Sequence, residues 1–165
     1  MGPESPPRAP LADWPIQGVM RFGYIWYTTP FAIVTQSAVE HMTLKDAQEI
    51  TSRIDRIIAA CRQEMHREGG AVILHDWRLV RTYDPHARQH LFSRNSERQP
   101  GDVRATIINV TLTPVLRMAI ETGNALLRIT TGRVVEVVPS IGPSLGKYGV
   151  ERPTASTRIP GLGKD

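Results

Sequence analysis

Cysteine is nearly missing from this chain. Cys61 is the single one among 165 residues, so an internal disulfide is excluded. It falls on the apolar side of a predicted helix and reads as a small core residue, since nothing nearby marks a reactive thiol. The N-terminus lacks a charged-then-apolar signal pattern, and no apolar run reaches membrane-spanning length. Together these features point to the reducing cytoplasm, with no membrane insertion. Hydrolytic and phosphate-binding signatures are missing as well. There is no G-x-S-x-G elbow, and neither G-x-x-x-x-G-K-[S/T] nor G-x-G-x-x-G occurs. The glycine-rich IGPSLGKYG, Ile141 to Gly149, fits neither spacing and reads as flexible tail. His86 and His90, four apart, share a helix face, but zinc needs three or four ligands. The zinc-protease pattern also wants Glu where Ala87 stands. No catalytic residue, metal or cofactor is therefore expected.

The net charge of +4 comes from scattered arginine rather than from a block of lysine. Arg78, Arg81, Arg88, Arg94, Arg98 and Arg104 lie close in sequence, but Asp84, Glu97 and Asp102 dilute them. A solvated basic face fits better than a nucleic-acid surface.

What is present suits one domain. Apolar content of 41% is low, and the deficit sits at the two ends. Residues 1–17 are expected to be a disordered tail and residues 140–165 a flexible Pro/Gly/basic tail, around a body spanning 18–139. Residues 19–27 read as a strand, Thr28-Thr29-Pro30 as a break, and 31–39 as a second strand, which makes an antiparallel hairpin. The aromatic first strand, with Phe22, Tyr24, Trp26 and Tyr27, is a candidate sheet edge for pairing into a homo-oligomer.

Thr43 with Asp46 predicts a capped helix carrying Leu44, Ala47, Ile50, Ile54, Ile57, Ile58, Cys61 and Met65 on one side. Gly69-Gly70 ends it. Ala71 to Leu74 is short and unalternating, as in a central strand covered on both faces. Asp84 caps the next helix with Pro85 at its first position. Residues 103–110 read as a strand, and Thr113-Pro114 opens a helix running to about Thr130 that is apolar almost all round. One stripe of it, Val115, Met118, Ala119, Thr122 and Leu126, can face the sheet. Leu116, Ile120, Gly123 and Leu127 are then left for a neighbouring helix, a dimer contact or a lipid-lined groove. Residues 134–138 form the last strand. The order β-β-α-β-α-β-α-β predicts an α/β fold with a mixed, mostly parallel sheet of about five strands.

The junction after the central strand, DWRLVRTYD, places Asp76, Val80 and Asp84 ahead of a helix start. This spacing, with the element order, resembles the STAS-like domains of sulfate transporters and anti-sigma-factor antagonists. Lipid-binding domains of the Sec14 type are looser relatives. In switching STAS-like members a Ser or Thr follows the second Asp. Here Pro85 and His86 stand at those positions, and Ala87 replaces the usual Gly. Proline has no hydroxyl, so the serine switch is expected to be absent. Thr82 and Tyr83 are nearby hydroxyls that no motif marks. The resemblance implies a non-enzymatic regulatory module that binds a protein partner through this loop and helix start. The candidate residues are Asp76, Trp77, Arg78, Arg81, Asp84, His86 and Arg88. Each has a plainer reading beside it. Asp84 suits a helix cap, Asp76 an ion pair with Arg78 or Arg81, and Trp77 either packing under the loop or an anchor for the partner. The alternative function is a small-molecule or lipid-binding domain with its groove between the last helix and the sheet.

Overall fold

The computed structural model describes residues 3, 5–111, 113–131 and 133–163. Two short strands, β1 (Gly18–Val19) and β2 (Gly23–Thr28), lead into β3 (Ala32–Ser37), β4 (His41–Met42) and the long helix α1 (Leu44–Arg67). Then come β5 (Ala71–Trp77), β6 (Thr82–Tyr83), α2 (Pro85–Glu97), β7 (Val103–Val110), α3 (Pro114–Thr131), β8 (Val135–Val137) and the short α4 (Gly142–Lys147). The main sheet has six strands in the order β1-β2-β3-β5-β7-β8, and β4 pairs with β6 beside it. β2 runs antiparallel to both β1 and β3, while β3, β5, β7 and β8 run parallel. The expected α/β class, hairpin and mixed sheet are therefore present. No helix among the described residues is long and apolar enough to cross a membrane.

Local sequence explains most element ends. Thr43 and Asp46 form a reciprocal capping box. The Asp46 carboxylate accepts from the Thr43 amide at 2.9 Å and hydroxyl at 2.7 Å. Gly70 closes α1 with φ +102, and a Cβ there would lie 2.7 Å from the Gly101 carbonyl oxygen, so both conformation and space demand glycine. The first predicted strand divides, because Met20 and Gly23 exchange backbone hydrogen bonds around a tight turn. As a result β1 lies outside β2 and covers it at Tyr24 and Ile25, so the expected sheet edge is narrowed to the rest of β2.

Alternation along β5 sends Ala71, Ile73 and Trp77 to one face of the sheet and Val72 and Leu74 to the other. The first face packs on α1 through Ile50, Ile54, Ile57 and Ile58. The second packs on Leu11, Trp14 and Ile141, with Leu145, Tyr148 and Val150 against them. The two segments expected to be loose tails thus supply the layer on that face. Their Pro-rich composition hides this, because a few large apolar side chains suffice once backbone groups find partners. The Gln36 amide accepts from Arg8 N at 2.7 Å and donates to Arg8 O at 2.9 Å. Trp26 donates to Pro15 O at 2.9 Å, and Thr28 to Glu151 O at 2.8 Å.

α3 is rotated relative to the sequence reading. Leu127 is buried and Leu116, Ile120 and Gly123 are half-buried, whereas Met118 is 64% and Leu126 49% exposed. The Val115 side chain lies outside the described set. The helix has a polar side in Arg117, Glu121 and Arg128, but the face it buries is not the one opposite that side. Here Asn124 fixes the rotation by pairing with both backbone groups of Val135 on β8, at 2.8 and 2.9 Å.

Candidate functional site

The junction after β5 is largely internal. Register sets Gln36, Asp76 and Asn109 side by side across β3, β5 and β7. The buried Asp76 carboxylate accepts from Arg78 Nε at 2.7 Å and Nη2 at 2.8 Å, from Gln36 Nε2 at 2.7 Å and from Asn109 Nδ2 at 3.5 Å. Arg78 also donates to the Ala9 carbonyl, so the N-terminal segment closes over this end of the sheet. Trp77 lies on the opposite face. Its indole donates to Thr35 Oγ1 at 3.0 Å, and its ring sits 4.2 Å from His75 and 5.5 Å from Phe22. Asp76 and Trp77 are thus buried and sit away from any docking surface, which corrects their reading as anchors. β5 is central and covered on both faces, and that takes its last two residues inside with the rest.

The remaining junction residues divide. Asp84 is half-buried and caps α2, accepting from the His86 amide at 2.9 Å. The Arg81 side chain is 70% exposed and lies 4.0 Å from Glu40. His86 and Arg88 are exposed, and Arg78 is partly so while held by Asp76. Val80 is buried beneath the loop. His90 Nε2 lies 2.9 Å from Thr51 Oγ1, so the two helix histidines do not act as a pair. Among the described residues no group of three or more His, Cys, Asp or Glu gathers around a common point.

A second site lies between α3 and the sheet. There a cavity of about 170 Å³ is bounded by α1, α2, α3, β5, β7 and β8. α3 faces it with the small Ala119 and Gly123 and with Asn124, which leaves room between that helix and the sheet. The walls are mainly apolar, with Ile50, Ile54, Leu91, Phe92, Ile108 and Ile120. Polar side chains interrupt them: Thr106 on β7 and five more, Thr51, His75, Asn95, Arg98 and Asn124.

Two of the five are already spent. Thr51 donates to the Ala47 carbonyl at 2.9 Å, and Asn124 is paired with Val135. His75, 8% exposed, has its Nδ1 2.7 Å from Thr35 Oγ1. The Trp77 indole only donates, so it fixes Thr35 as its acceptor. Thr35 Oγ1 has no other acceptor among the described residues, so its hydroxyl hydrogen is assigned to His75 Nδ1, which leaves the ring proton on Nε2. Burial, aided by the charge of Arg98, pushes the His75 pKa down to about 3. An imidazole so weakly basic stays neutral at pH 7 and makes a poor general base. The Arg98 side chain is 9% exposed. Its Nε donates to Asp55 at 3.1 Å, Asp55 also receives Arg94 at 2.5 Å, and Arg98 Nη1 reaches Asn95 Oδ1 at 3.4 Å.

Sequence reasoning pointed to a groove beside the last helix but named none of these polar residues. The one legible signal was His75, a polar residue inside an otherwise apolar strand. Arg98 and Asn95 carried no such mark, since only folding brings them to the cavity. Comparisons with protein-family models, with curated proteins and with solved structures return no match, so the chemistry of the site rests on its own geometry.

Proposed function

We propose that the protein is a non-enzymatic binding domain that holds a small, mostly apolar molecule in the cavity beneath α3. The observation that carries this reading is the cavity itself, apolar-walled with a few buried polar groups, as small-molecule sites are. Its size bounds the occupant. A dry cavity of about 150 Å³ accepts benzene, so about 170 Å³ suits one ring or a short acyl chain. The cavity is partly open to solvent, so a longer lipid would extend out of it. The Asp76–Val80–Asp84 spacing and the hairpin-then-alternation order support a STAS-like or Sec14-like kinship, and the single cysteine supports an intracellular setting. Native mass spectrometry of the purified chain tests the reading. A bound small molecule is expected in the wild type and lost in Ala119→Phe, whose ring fills the cavity. An unliganded wild-type spectrum, together with no response to small apolar probes, counts against it.

A second reading keeps a protein partner. Arg81, His86 and Arg88 are exposed around the start of α2, on a loop pinned by buried Val80, and they suit an acidic partner surface. Docking there needs no serine phosphorylation, since Pro85 offers no acceptor. Arg81→Glu combined with Arg88→Glu is expected to abolish co-purification of a partner from the native host at unchanged melting temperature. Retention of the partner removes this reading.

A further inference from the structure

Resting on the cavity reading, we infer that the ligand is a small monocarboxylic acid with an apolar body about one aromatic ring in size, its carboxylate received by Arg98 and His75. Besides the Thr106 hydroxyl and the Asn95 amide nitrogen, which also line the cavity, two donors suited to an anion remain after the protein's own hydrogen bonds are assigned. One is His75 Nε2–H. The opposite ring nitrogen is taken by Thr35, so Nε2 points away from that contact while the side chain lines the cavity. The other is the Nη end of Arg98. A guanidinium has five N–H donors. Asp55 takes the one on Nε, and Asn95 takes one on Nη1 at the long distance of 3.4 Å. Asp55 pairs this guanidinium but is shared with Arg94, and the unused Nη donors of Arg98 can receive a second anion.

The chemistry of the acceptor follows from what surrounds it. One arginine and one neutral histidine match a single negative charge with two oxygens. A dianionic phosphate calls for more cation than this. Asp55 engages Arg98 only through Nε, which leaves the planar fork of the Nη groups for a second carboxylate. A protonated amine is disfavoured, because it would face the Arg98 cation and the His75 N–H. Behind the head group, Ile54, Phe92 and Ile120 require an apolar body.

The test titrates the purified full-length chain at pH 7 with sodium benzoate and, separately, with its neutral counterpart toluene. Calorimetry and the NMR shifts of the Trp77 indole N–H are followed, since Trp77 lines the cavity. Benzoate is expected to bind at least about tenfold more tightly than toluene, as charge-assisted bonds inside a low-dielectric site allow. Arg98→Met should remove that advantage and leave toluene affinity unchanged. Should this variant fail to fold, Arg98→Lys, which keeps the charge but loses the fork, and His75→Phe carry the comparison, each expected to weaken benzoate selectively. Equal binding of benzoate and toluene, or a benzoate preference indifferent to all three variants, overturns the carboxylate assignment and leaves the cavity reading standing. No response of Trp77 to either probe overturns both.

Discussion

His75 is neutral because burial excludes its proton, and this has a sign in the stability of the protein. The folded-state pKa lies at about 3, below the ordinary 6.5 of the unfolded chain. The unfolded state therefore takes up a proton that the folded state refuses. Stability is complete above pH 6.5, falls as pH drops toward 3, and levels off below that, with a slope of at most about 1.4 kcal/mol per pH unit. Burial raises the Asp46 carboxyl, but hydrogen bonds from Arg21 and Thr43 outweigh it and hold it below the usual range. Its contribution is lost only below pH 3.8, so the two windows separate. Urea unfolding at pH 4.5 and pH 7 is expected to show a clear loss in the wild type and a much smaller one in His75→Phe. Equal losses refute the assignment. Substitutions at the junction separate in a similar way. Trp77→Ala should cost about 3–5 kcal/mol, as for a large buried aromatic. Arg81→Glu should stay within about 0.5 kcal/mol, as for an exposed site. Denaturation midpoints measure both. Asp84 was legible as a cap because its partner, the His86 amide, is two residues away. The ion pair of Asp76 with Arg78, two residues on, was legible in the same way, but its burial was not, since Gln36 and Asn109 reach it from 40 and 33 positions away.

At the scale of elements, starts and stops were written locally and orientations were not. Thr43, Asp46, Gly69-Gly70 and Asp84-Pro85 mark helix ends through bonds within a few residues, and the structure uses each of them. The inward side of α3 needed a partner from another element. The same kind of contact guards the sheet edges. Asn124 pairs with both backbone groups of Val135, and the Gln17 amide does the same for Tyr27, at 2.7 and 3.2 Å. Free N–H and C=O groups on an edge invite another chain, and these amides occupy them. Asn124→Ala is expected to expose the β8 edge and to produce concentration-dependent association in light scattering. A variant as monodisperse as the wild type shows that the amide does not protect the edge.

At the scale of the whole molecule, the segments before β1 and after β8 form a layer. Leu11 and Trp14 cover Trp26, Val34 and their neighbours on one face of the sheet. Burial of each large side chain stabilises by about 1.5–3 kcal/mol, against a total of about 5–15 kcal/mol for an ordinary domain. Removing residues 1–15 is therefore expected to cost several kcal/mol, seen as a large drop in the urea midpoint. An unchanged midpoint shows that the segment is dispensable.

Sequence alone determined the α/β class, the hairpin, the caps and the succession of helices and strands, because each depends on periodicity or on partners a few residues apart. The tertiary structure alone decided that Asp76 and Trp77 are internal, that the two ends cover the sheet, and that α3 leaves a cavity holding His75 and Arg98. Those outcomes depend on groups far apart in the chain meeting at one place, and no local pattern encodes such a meeting.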